Sequence, residues 1–239
     1  MRFLSGIAVA LLVPALCTAQ DATARLDDLG TRLQFDSYTG DLAALARDEA
    51  LLASVEVPSE LAAVKATLAG FAAWKRSELL RAKDPDKAGE AARQCVGGFD
   101  RAVDLEPKRA ALHAMLSACQ RQVAELEGRV KAPLAAGRAK QSLERALQLS
   151  PRAPHVLLIA GQSELERVRS GAGDAATARK WLTGATAAFE GAGQSSATDA
   201  FTVALSWGAA EAWNAVGQLE LLQILDAVGA GDDVALLLP

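Results

Sequence analysis

The strongest constraint on this chain is a short pattern that returns along it. A small residue is followed by a large one four positions later, a small one three further on, and a helix terminator five beyond that. In "CVGGFDRAVDLEP" the four are Cys95, Phe99, Ala102 and Pro107; in "AKQSLERALQLSP" they are Ala139, Leu143, Ala146 and Pro151, each 44 residues later. A third copy, 46 residues on, is Ala185, Phe189, Ala192 and Ala197, with the proline replaced. A fainter, earlier one is Ala46, Ala50, Ala53 and Pro58. These offsets put the three packing residues on one helix face, where the small ones admit a neighbour and the large one fills the space beside it. Proline then stops the helix, because it lacks the amide hydrogen and its ring collides with the preceding turn.

Between the copies lie second periodic segments, each with a small residue soon after the terminator: Gly70, Ser117, Gly161 and Gly208. Each is predicted to let the next helix approach closely. Turn chemistry agrees with this segmentation. Ser59 behind Pro58 opens a helix to Leu79, and Asp84-Pro85 supplies an N-cap and first-turn proline for a helix ending near Leu105. Helices follow at 109–130, 133–149 and 154–169; Asp174 caps another to Ala192, and a last periodic stretch covers 199–228. With 52 alanines among 239 residues, a single tyrosine and only ten Trp and Phe, close-packed helices are favoured over sheet.

The pattern resembles the tetratricopeptide repeat, whose second helix carries small, aromatic and small residues before a proline and whose first helix carries a small residue facing it. The resemblance spans residues 40–215 and is best in the segments ending at Pro107 and Pro151. The period departs from the family's, which is about 34 residues, so about ten extra residues must lengthen the first helix or the turn of each unit. The resemblance implies an all-α fold of antiparallel helical hairpins stacked as a right-handed α-solenoid, with a surface offered to a protein or peptide partner.

The chain opens as a secretory leader does. Arg2 is a short positive region, Phe3 to Leu16 an apolar core, and Cys17-Thr18-Ala19 a small-residue cleavage site before Gln20-Asp21. We expect a signal peptide at 1–19, a helical repeat domain at 20–228 and a tail at 229–239, in a periplasmic or secreted protein. No later stretch of about 18 uncharged apolar residues suggests a membrane span. Formal charge is −4, and without Arg2 it becomes −5. No Lys/Arg stripe interleaved with aromatics appears, which argues against nucleic acid and anionic lipid as partners.

Motifs that carry chemistry are not apparent. His113 and His155 lack neighbours at metal-ligand spacing, no nucleophile elbow occurs, and "SGAGD" and "GAGQSS" lack the lysine of a phosphate loop. We therefore expect neither catalysis nor a cofactor or metal. Among Trp74, Trp181, Trp207 and Trp213, the last two, close to Phe201, are candidates for a binding surface as well as for the core. An exported, helical, repeat-like chain is similar also to the T-component of some tripartite transporters, which would make it a ligand-binding accessory for a small apolar or organic-acid molecule.

Once the leader is removed, Cys95 and Cys119 are the only cysteines, and they lie equally far before and after Pro107. Across an antiparallel pair turning there, both fall at one height on apolar faces. An oxidising compartment would permit a bridge, and two buried thiols acting as small hydrophobes are the alternative.

Overall fold

The structure is a computed structural model that describes residues 13–128, 132–192, 214–220 and 222, with side chains from Gln20 onward. Every regular element in these residues is helical. α1 (Val13–Thr39), α2 (Leu42–Ser54), α3 (Ala62–Leu80) and α4 (Pro85–Leu105) are followed by α5 (Ala110–Leu126), α6 (Ala132–Leu149), α7 (Pro154–Arg169) and α8 (Ala175–Ala192). Residues 214–220 are helical as well. α1 begins inside the expected leader and continues through the Ala19-Gln20 junction without a break. The expected tail at 229–239 lies outside the described residues.

Helix boundaries follow local chemistry. The Asp84 carboxylate accepts from the Lys87 backbone N–H at 3.1 Å, with Pro85 in the first turn, and Asp174 accepts from the Thr177 backbone N–H at 3.0 Å. These bonds satisfy amide donors that the first turn of a helix leaves unpaired. Asp41 caps α2 in the same way, after Gly40 has turned the chain through φ +70°, a left-handed conformation that costs glycine little. The Ser59 cap does not form. Ser59 to Leu61 make a single 3-10 turn and α3 starts behind Leu61, which gives no side-chain cap. At the other end of α2, Lys65 Nζ donates to the carbonyls of Ala53 and Val55, placing a cation where the helix dipole is negative.

Within the pairs α3–α4, α5–α6 and α7–α8 the helices pack closely, and the small residues set the distance. A Cβ on Gly70 would lie 2.7 Å from the Phe99 ring, and one on Gly161 would lie 2.5 Å from the Leu182 side chain. In the central pair Ser117 takes this place, its hydroxyl donating to the Ala139 carbonyl at 2.7 Å. Gly208 lies outside the described residues. α3 and α4 have 19 and 21 residues and α5 and α6 17 and 18, so in neither pair is the first helix the longer.

Two further corrections concern the recurring pattern. Ala46, Ala50 and Ala53 are exposed, while Leu45, Asp48 and Leu52 form the buried face of α2, so the fainter copy is out of register by one residue. Phe99 and Phe189 are buried, whereas Leu143 is only half-buried, because α6 rests on α5 and meets α7 over little of its length. Three apolar clusters result. One joins α1, α2 and α3, the central one runs from α3 to α7, and the third joins α7 and α8 with Ala215, Val216, Leu219 and Leu222.

Candidate functional site

Cys95 on α4 and Cys119 on α5 are fully buried with Cα atoms 5.6 Å apart, and the structure joins them as a disulfide. That separation is within the range a bridge requires. Trp207 and Trp213 lie outside the described residues. Trp74 is buried beneath Lys75, whose ammonium sits 4.4 Å from the ring centroid, and Trp181 packs against the α7–α8 cluster. His155 is buried edge-on to Phe189 at 5.1 Å, and His113 Nε2 lies 2.9 Å from the Pro107 carbonyl. Both histidines thus have structural neighbours. Among the described residues, no group of three or more His, Cys, Asp or Glu side chains could hold a metal, and no helix is long and apolar enough to cross a membrane.

A site that the sequence reading missed opens where three alternate helices meet. α3 contributes Trp74 and Glu78, with Arg81 at its C-cap, α5 contributes Arg121, Gln122 and Glu125, and α7 contributes Gln162, Leu165 and Glu166. Asn214, Ala215 and Gln218 close the far side, leaving a cavity of about 370 Å3. Helical periodicity explains the convergence: 74, 78 and 81 share one face of α3, as 162, 165 and 166 share one of α7. α5 is enclosed by neighbours along most of its circumference, so its polar residues must point either into another helix or into this cavity.

Glu125 organises the rim. It takes Arg81 Nη1 at 2.7 Å from the neighbouring helix and Arg121 Nε at 3.7 Å from its own. Glu78 pairs with Lys75 at 2.9 Å and Glu166 with Arg169 at 2.7 Å, so the carboxylates at the mouth are partnered and the lining is of mixed sign. The floor is different. Gln120 and Ser117, on the side of α5 that faces α6, both have partners: Gln120 Oε1 accepts from the Ser142 hydroxyl at 2.9 Å, and Ser117 bonds Ala139. Gln122 is 3% exposed and its Oε1 has no hydrogen-bond partner among the described residues, and the buried Nη1 of Arg121 has none among them either. Leaving such groups unsatisfied costs about 1–3 kcal/mol each. A run of Gln, Arg and Gln inside a largely buried helix is the one sequence signal that could have pointed here.

Carboxyl groups with displaced pKa values lie elsewhere. Burial raises Asp36, helped by the neighbouring Asp48 carboxylate, and burial raises Glu49 against the opposing pull of Arg76. Both sit where α2 meets its neighbours, and neither lines the α3/α5/α7 cavity. Compared with protein-family models, with curated proteins and with solved structures, the chain matches none.

Proposed function

We propose that this chain is an exported, non-enzymatic binding scaffold. In this reading the pairs α3/α4, α5/α6 and α7/α8 are successive helical hairpins of a right-handed α-solenoid, and residues 1–19 are a leader removed on export to the periplasm or beyond. The first helices of the three hairpins together present a recognition surface to a protein or peptide partner. The observation that carries the proposal is the convergence of side chains from α3, α5 and α7 on one cavity. Alternate helices contributing to a common surface are what stacked repeats use for extended binding. The lining also favours a peptide over a small apolar ligand, since charged and amide side chains predominate and a carrier of apolar molecules needs a mostly apolar pocket.

The test is a selection from a random displayed-peptide library on the immobilised mature protein, repeated on the double variant Glu78→Arg/Glu166→Arg. Enrichment of related sequences that bind the wild type at least tenfold better than the variant is the expected result. Enriched peptides indifferent to the variant, or none enriched above an unrelated protein, would overturn the proposal.

A further inference from the structure

We propose that the mature chain begins with a pyroglutamate, formed when the side chain of Gln20 closes on its own α-amine. This rests on the leader reading above and adds a modification site to it. Hydrolysis of the Ala19–Gln20 bond leaves Gln20 as the first residue, and its side-chain amide carbon can close a five-membered ring with the free amine. The α-amine of a chain end has a pKa of about 7.7–8.0, so part of it is uncharged and nucleophilic near neutrality. Its nitrogen attacks Cδ, the N–Cδ bond forms, and the Cδ–Nε2 bond breaks. Nε2 takes the proton that the amine gives up and leaves as ammonia. The step is redox-neutral and needs no co-reactant.

The surroundings of Gln20 leave that reaction free to occur. Gln20 and Asp21 are exposed, whereas Ala22 starts the buried face of α1 that continues with Leu26, Leu29 and Leu33. The ring can therefore close without disturbing the cluster that α1 forms with α2 and α3. Gln20 also lies within the span of α1, so cleavage sets a new chain end, with its positive charge, at the start of a helix. There the helix dipole is itself positive and the first amide donors lack partners, so an α-ammonium opposes the first turn while the Asp21 carboxylate supports it. Closing the lactam removes the ammonium and keeps Asp21. The product is thus the form that suits the helix, and it offers no free amine to an aminopeptidase.

The experiment is mass spectrometry of the chain expressed with its own leader and isolated from the exporting cell, its free amines dimethylated before digestion with trypsin. Trypsin releases the peptide Gln20–Arg25. The expected result is that this peptide carries no dimethyl label and is lighter by one ammonia. A dimethylated amine cannot close the ring, so the unlabelled lactam reports the protein as isolated rather than its later handling. Gln20→Ala, a change at an exposed position that cannot cyclise, should give the corresponding peptide with a labelled amine. A dimethylated Gln20 in the wild-type protein would overturn the inference and leave the leader reading standing. A first residue other than Gln20, or a chain that still carries Met1–Ala19, would overturn both.

Discussion

Gly70 and Gly98 bring α3 and α4 into backbone contact: a Cβ on Gly98 would stand 2.6 Å from the Gly70 Cα and 3.3 Å from the Ala66 carbonyl oxygen. Backbone at that distance has no flexible end to move aside. Gly98→Ala should therefore destabilise the protein by about 3 kcal/mol, overriding the gain in helix propensity. Its neighbour Gly97 is exposed, with open space where a Cβ would go, so Gly97→Ala should stabilise by about 0.5–1 kcal/mol. Urea denaturation of the two variants should give opposite signs; equal signs would contradict this packing.

Phe189 and Leu143 hold the same place in the recurring pattern but differ in burial, and their variants should differ accordingly. Phe189→Ala should cost about 3–5 kcal/mol. Leu143→Ala should cost about 1–2 kcal/mol, because part of its surface already meets water. Equal losses in chemical denaturation would restore the simpler expectation that the positions are equivalent.

Cys95 and Cys119 are 24 residues apart, and the bridge between them should add about 3 kcal/mol by restricting the unfolded chain. Thiol titration of the purified, unreduced mature protein after denaturation should find no reactive thiol. Two would show that the cysteines are packed as free thiols.

Stability near α2 should depend on pH through Asp36, whose carboxyl is raised above its ordinary value by burial and by the Asp48 carboxylate. A folded-state pKa above the unfolded one favours folding while the group is protonated, below the unfolded value of about 4, and that contribution is lost as pH rises through the folded pKa. Asp36→Asn should therefore melt higher than wild type at pH 7, with the difference closing near pH 4. The caps Asp84 and Asp174 act oppositely: hydrogen bonds from Lys87 and from Thr177 lower them, so their contribution disappears as the pH falls. A gain for Asp36→Asn that persists unchanged in acid would point to a cause other than its charge.

Much of the helical segmentation was legible because its signals are local. Asp84-Pro85, Asp174 and the prolines at 107 and 151 mark helix ends by their own chemistry, and Gly70 and Gly161 mark close approach by lacking a side chain. The register of α2 was not legible, since its alanines at 46, 50 and 53 match a small-residue pattern that any alanine-rich helix can imitate. Its true face is Leu45, Asp48 and Leu52, where Asp48 takes a hydrogen bond from Arg32 of α1 at 2.9 Å. A buried aspartate disguises an interior position as a surface one. The buried face of α1, Ala22, Leu26, Leu29 and Leu33, does carry helical periodicity and could have been read. The cavity could not be assembled from sequence, because its walls come from three helices that do not follow one another in the chain, and only folding brings Trp74, Gln122 and Gln162 together.

The most direct measurement of the scaffold account is photo-crosslinking in living cells, with p-benzoylphenylalanine placed at Glu78 and Glu166 on the cavity rim and at the exposed Lys140 of α6. The account predicts that both rim positions yield an adduct with the same protein, identified by mass spectrometry, and that Lys140 does not. Equal adducts from all three positions, or none from the rim, would contradict it.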